Sequence, residues 1–265
     1  VHKDLRISIT DRCNFRCSYC MPEDGLEWTP REELLTYEEI ERLSSLLVTR
    51  FGVESIRLTG GEPTVRANLS DLVTRLSKLN VDLSMTTNGA TLSLAAKRLK
   101  EAGLKRINIS LDSLQRERFA ELTRRDNLEE VLEGISIANQ VGFDPVKINM
   151  VVMKGINDDE ILDFVEFGRR ERVVVRFIEF MPLDADEAWD QKRVLPLSEI
   201  LEIISEAHGL IPVERGNSPA ARWRYEDGAG EVGVIATVSD AFCESCDRIR
   251  LTADGKFRNC LFALQ

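Results

Sequence analysis

The stretch LRISITDRCNFRCSYCMP, residues 5–22, begins as a strand and ends as a question of chemistry. Leu5, Ile7 and Ile9 alternate with Arg6, Ser8 and Thr10, the period-two pattern of a strand with one apolar and one polar face. The pattern returns along the chain. Arg57 and Thr59 share the polar face of SIRLTG, and Asp82, Ser84, Thr86 and Asn88 that of DLSMTTN. Asn108, Ser110 and Asp112 follow in INISLD, then Lys147 and Asn149 in VKINM.

Strands are expected at 5–10, 55–60, 82–87, 106–111, 146–152 and 173–180, and helices near 37–50, 69–79, 92–102, 128–141, 158–170 and 197–208. Thr36 and Glu39 make a T-x-x-E capping box, while Gly52, Gly103, Gly142 and Gly209 stand where helices should stop. Helices after nearly every strand predict a parallel sheet with right-handed crossovers. The fold class is α/β, an incomplete (βα)6 TIM-like barrel over residues 1–208 with a C-terminal extension over 209–265. An antiparallel sheet with one wet face would alternate in the same way but would need no intervening helices. The apolar side of such a barrel meets its helices, so the polar side faces the lumen. A closed barrel fills its lumen with Val, Ile and Leu. Here five strands offer Arg, Lys, Ser, Thr and Asn, which suits a large polar ligand. Arg6, Arg57 and Lys147 suit an anionic one.

At 265 residues the chain is long enough for a sizeable core. Its net charge of −10 argues against general binding to nucleic acid or to anionic membrane. No apolar run approaches the roughly 20 residues of a membrane span, and no signal-peptide pattern is present, so a cytoplasmic protein is expected.

All six cysteines fall into two groups, Cys13, Cys17 and Cys20, then Cys243, Cys246 and Cys260. In a reducing compartment such clusters read as metal ligands. The first group follows the first strand, where an active-site loop of a βα barrel belongs. Zinc would want a fourth ligand, and neither His2 nor His208 is well placed to supply it. His208, before Gly209, reads as a dipole or capping partner at a helix end. Three thiols in a short loop suit a four-iron cluster with one iron left open to chelate a ligand. For the second group, FCESCDRIRLTADGKFRNC, zinc competes, with Asp240, Glu244 or Asp247 as a fourth ligand. Hairpin signals at EDGAGE and ADGK surround it.

CNFRCSYC is a CxxxCxxC loop with an aromatic before its third cysteine, and TGGEP follows the second strand at 59–63. The pair resembles the radical S-adenosylmethionine enzymes. Together with TTNG, INISLDSL, KGIND, RFIEFMP and the C-terminal Cys/Arg segment, the chain resembles the GTP 3′,8-cyclase family of molybdenum cofactor biosynthesis, from Asp4 to Phe262. That resemblance implies two [4Fe–4S] clusters, on Cys13, Cys17 and Cys20 and on Cys243, Cys246 and Cys260. It implies S-adenosylmethionine contacts at Tyr19, Gly60, Gly61, Glu62, Ser110 and Met181. It implies GTP contacts at Arg6, Arg57, Thr86, Lys147 and Arg248-Ile249-Arg250, with Arg248 and Arg250 next to the reacting nucleotide. The implied reaction takes the 3′ hydrogen of GTP and closes C3′ onto C8, giving 3′,8-cyclo-7,8-dihydro-GTP. Implied partners are GTP, a flavodoxin or ferredoxin reductant, a downstream cyclic pyranopterin monophosphate synthase and a second copy in a homodimer. Members of the family continue beyond the third C-terminal cysteine to a Gly-Gly tail, whereas this sequence stops at Gln265. Its turnover without that tail is therefore expected to fall.

Overall fold

The structure is a computed structural model that describes residues 2–22, 25–182, 189–216 and 218–262. The chain runs β1 (Asp4–Ser8), α1 (Tyr37–Phe51), β2 (Ser55–Thr59), α2 (Leu69–Ser77), β3 (Asp82–Thr87), α3 (Leu92–Glu101) and β4 (Arg106–Ser110). Two helices follow, α4 (Arg116–Thr123) and α5 (Leu128–Gln140), then β5 (Val146–Val152), α6 (Ile161–Glu171), β6 (Val174–Glu179) and α7 (Leu197–Ala207). The remainder is β7 (Leu210–Val213), β8 (Ala221–Tyr225), β9 (Glu231–Ile235), β10 (Arg248–Leu251) and β11 (Phe257–Arg258). Each of the six strands and six helices expected from sequence is present, with no end displaced by more than three residues. Helix α4 is additional.

Helix α1 starts as its capping box requires, with Glu39 N–H donating to Thr36 Oγ1 and Thr36 N–H to Glu39 Oε2. It stops at Gly52, whose φ of 71° is the left-handed conformation that glycine tolerates best. The alternation in the strands is a true inside–outside division. Leu5, Ile7, Ile56, Leu58, Leu83, Met85, Ile107, Ile109, Ile148 and Met150 are fully buried beneath the helices. Each contributes roughly 1.5–3 kcal/mol by leaving water. His208 caps α7 and pairs with Glu166 Oε1 at 2.8 Å, which is the helix-end role expected for it.

Eleven strands form one sheet in the order β11-β10-β1-β2-β3-β4-β5-β6-β9-β8-β7. Every pairing from β10 through β1–β6 to β9 is parallel, which excludes the antiparallel alternative. The two ends of that order, β11 and β7, leave the barrel open. Residues after α7 thus extend the barrel's own sheet at both edges. The β7–β8–β9 meander lies beside β6, and the β10–β11 hairpin lies beside β1. Both hairpin signals fall at antiparallel turns, between β8 and β9 and between β10 and β11.

Candidate active site

The loop after β1 is folded by its own backbone and by α4. Cys20 and Met21 N–H groups both donate to Cys17 O at 3.0 Å. Arg16 Nη1 bonds the carbonyls of Cys13 and Phe15 at 2.7 and 2.8 Å. Phe15 is buried edge-on against Phe119 of α4, with ring centroids 5.8 Å apart. The Arg16 and Ser18 N–H groups donate to the Thr123 and Leu122 carbonyls at that helix's last turn. Cys13 Sγ accepts from Phe15 N–H at 3.4 Å. Burial pushes all three thiols up, most strongly Cys17, and the charge of a neighbouring thiolate would further oppose ionisation of Cys17 and of Cys20. Such a group ionises readily only around cationic metal.

The segment after β2 is laced to this loop. Gly61 N–H donates to Thr10 O at 2.7 Å, and Glu62 N–H to Arg12 O at 2.8 Å. A Cβ on Gly61 would stand 2.2 Å from Arg12 O, and one on Gly60 2.4 Å from Thr10 O. The close approach these glycines permit is therefore to the cysteine loop itself. Glu62 is buried, and burial raises its carboxyl against four bonds that lower it. Its Oε1 accepts from Thr64 N–H, Thr64 Oγ1 and Thr87 Oγ1, and its Oε2 from Asn88 N–H at 2.6 Å. A carboxylate has about four acceptor directions, two on each oxygen, so one on Oε2 is left over.

Tyr19 Oη donates to Asp112 Oδ2 at 2.5 Å, and Asp112 Oδ1 accepts from Val151 N–H at 2.8 Å. Burial raises the Asp112 carboxyl to about 6 and pushes the Tyr19 hydroxyl well up.

A cavity of about 250 Å³ opens in the lumen, lined by Arg6, Arg57, Thr86, Arg176, Met181, Arg248, Arg250 and all three C-terminal cysteines, among others. Arg250, Arg6 and Arg57 are direct cross-strand partners on β10, β1 and β2. Like charges directly opposite one another destabilise a sheet. Burial and mutual repulsion lower Arg57 and Arg250 to about 10 and Arg176 to about 9, and all three stay protonated near neutrality. Arg6 is lowered as well, by burial first and in part by Arg248, against the pull of Asp4. The buried Nε atoms of Arg6 and Arg176 have no hydrogen-bond partner. Buried cations crowded in this way are held together at a cost unless an anion joins them.

The profile of the Radical SAM superfamily matches residues 7–168, and that of Molybdenum Cofactor Synthesis C matches 173–265. GTP 3′,8-cyclase of Streptomyces coelicolor is 47% identical over 270 residues, covering 100% of this chain and 79% of its own length. GTP 3′,8-cyclase of Rhodopirellula baltica is 48% identical, covering 99% and 75%. The chain belongs to the GTP 3′,8-cyclase family. It also shares its fold with Streptococcus suis SuiB, solved bound to precursor peptide SuiA. That match has a TM-score of 0.70 at 16% identity, and covers 98% of this chain and 60% of that one.

The cofactors of GTP 3′,8-cyclases are two [4Fe–4S] clusters and S-adenosylmethionine, and the donor chemistry here fits them. Each cysteine group supplies soft thiols with N–H donors on sulfur, from Phe15 to Cys13 and from Phe262 to Cys260 at 3.4 Å. Among the described residues no three His, Cys, Asp or Glu side chains converge as the ligands of one ion would.

Of the residues matched to the family's sites, the cavity gathers Arg6, Arg57, Thr86, Met181, Arg248, Arg250, Cys243, Cys246 and Cys260. Gly60, Gly61, Glu62 and Tyr19 gather instead around the first cysteine loop and Asp112. Ser110 lies at the end of β4, two residues before Asp112. Lys147 and Ile249 do not line the cavity; Ile249 packs on the core, and Lys147 feels the cavity through Arg176 and Arg57. Sequence reading passed over Arg176, which donates to Asn108 Oδ1 at 2.6 Å. Its signal was a charge set in the apolar run VVVRFIEF, three residues before a second charge, Glu179.

Proposed function

We infer that this chain is a GTP 3′,8-cyclase that converts GTP to 3′,8-cyclo-7,8-dihydro-GTP at the start of molybdenum cofactor biosynthesis. The observation that carries this reading is the arginine-lined cavity beside the second cysteine group, inside an open barrel whose other cysteine loop is laced to GGEP. A nucleoside triphosphate is the kind of ligand that relieves the repulsion among Arg6, Arg57, Arg176 and Arg250.

When bound, the first cluster and S-adenosylmethionine supply a carbon radical able to take a hydrogen atom from the substrate. The remaining work belongs to the chain. Cys13, Cys17 and Cys20 hold one cluster and Cys243, Cys246 and Cys260 the other. The open acceptor of Glu62 Oε2 faces the role of fixing the amino group of S-adenosylmethionine, with Tyr19, Gly60, Gly61, Ser110 and Met181 about it. Arg6, Arg57, Arg176 and Arg250 grip the triphosphate, with Arg248 and Thr86 fixing the nucleoside. Lys147 and Ile249 support that set from behind. Ring closure then depends on orientation and on exclusion of water, since no side chain acts as nucleophile.

A flavodoxin or ferredoxin reductant, delivery of product to cyclic pyranopterin monophosphate synthase, a homodimer and a cytoplasmic location belong to the same proposal. No helix among the described residues is long and apolar enough to cross a membrane. Anaerobic reconstitution with GTP, S-adenosylmethionine and dithionite, followed by mass analysis, tests the activity. The cyclic dihydro-GTP is expected as the GTP-dependent product, and a modified peptide or an unchanged GTP pool would overturn it.

A further inference from the structure

The two flanks of the open sheet meet at a stack of three side chains. Phe242, just before Cys243, lies under two guanidinium groups, with Arg215 Cζ 4.7 Å and Arg248 Cζ 4.8 Å from its ring centroid. Arg215 follows β7 and is fixed in place. Its Nε donates to Ser218 O at 2.9 Å, its Nη2 to Pro219 O at 3.0 Å, and its Nη1 lies 3.8 Å from Asp240 Oδ2. Arg248 opens β10, on the opposite flank beside β1. Its charge meets those of Arg6 and Arg250, and among the described residues no carboxylate or carbonyl holds its guanidinium. The Phe242 ring is the one group in the stack that attracts that cation without neutralising it. Phe242 and Arg248 both line the cavity, whereas Arg215 does not.

We propose that Phe242 is a positioning residue: its ring, backed by Arg215, holds the Arg248 guanidinium at the cavity mouth in the orientation that receives the nucleotide. The proposal rests on the GTP reading above. A carboxylate partner would fix Arg248 equally well but would cancel the charge that the substrate needs. An aromatic face fixes it and leaves its N–H donors free. The stack also couples the β7–β9 flank to β10, so nucleotide seated on Arg248 bridges the gap in the barrel.

The test compares wild type with F242L, F242W, R248A and the double variant F242L/R248A, all reconstituted anaerobically. Iron content and thermal unfolding confirm that each has folded. GTP binding is read by calorimetry and the KM for GTP from product formation. F242L should weaken GTP binding about three- to tenfold and raise KM with little change in kcat, whereas F242W should stay near wild type. In the R248A background, F242L should add almost nothing, because the ring then has no cation to place. Equal effects of F242L with and without Arg248, or equal loss in F242W and F242L, would overturn the positioning role. Wild-type protein that binds no GTP would overturn the functional reading, and this proposal with it.

Discussion

Tyr19 of the first cysteine loop, half-buried, and Asp112 just past β4, buried, are joined by a 2.5 Å hydrogen bond. The bond ties the loop carrying Cys17 and Cys20 to the sheet. Asn157 reinforces it by donating to the Asp112 carbonyl at 2.8 Å. Removing the hydroxyl in Y19F leaves a buried carboxylate oxygen without its donor, which costs about 1–3 kcal/mol. Denaturant unfolding of the apoprotein should show that loss. The D112N variant should lose affinity for S-adenosylmethionine more than it loses iron from the second cysteine group.

The glycines of GGEP make a separate prediction. In G61A the new methyl group meets Arg12 O at a distance no real Cβ contact shows, so the cysteine loop must move. Reconstitution of G61A should therefore fill the second cluster and fail at the first, leaving about four irons where wild type holds about eight. A full complement of iron in G61A would show that the loop can give way without losing its ligands.

The arginines should serve function more than stability. Arg176 is buried, lowered to about 9 by burial and then by Arg57 and Arg6, and its Nε has no partner. R176M should change the stability of the ligand-free protein little, because removal of a desolvated like charge offsets the lost donor to Asn108 Oδ1. It should weaken GTP binding by about 1.5–3 kcal/mol, the range for hydrogen bonds to charged groups. Guanosine binding should barely change, and calorimetry with both ligands reads the difference.

Lys147 gives the pH dependence. Burial, then Arg176 and Arg106, depress it to about 8 from 10.5, partly offset by Glu231. Between pH 8 and 10.5 the unfolded chain holds a proton that the native lysine has released, so this group makes native stability rise with pH across that window. A bound triphosphate raises the lysine again, so GTP binding takes up a proton near pH 8. Affinity should fall as pH climbs from 7 to 9, approaching about tenfold per pH unit once the free lysine is neutral. K147R should flatten this profile. Calorimetry in buffers of different ionisation enthalpy measures the proton uptake directly.

These residues also show what could be read in advance. The polar lumen was legible because a parallel strand beneath helices must place its apolar residues on one side. Arg6 and Arg57 declared themselves by alternation, while Arg176 did not, because the two charges of β6, Arg176 and Glu179, stand three residues apart and so mark no common polar face. Helix α4 escaped because RERFAELT has a weak apolar face and its N-cap, Gln115, makes no side-chain cap. Yet α4 is what seats the cysteine loop. The placement of β9 and β10 on opposite sides of the six barrel strands depends on pairings with β6 and β1, which are remote in sequence and leave no local mark. The bonds of Glu62 to Thr87 and Asn88 are hidden for the same reason.

GTP carrying deuterium at C3′, in an anaerobic turnover with S-adenosylmethionine and dithionite, tests most directly whether this cavity holds GTP with its ribose presented to the radical generated at the first cysteine loop. The account predicts deuterium in the 5′-deoxyadenosine formed, together with a 3′,8-cyclised product that has lost it. Deuterium retained in GTP while unlabelled 5′-deoxyadenosine accumulates would contradict it.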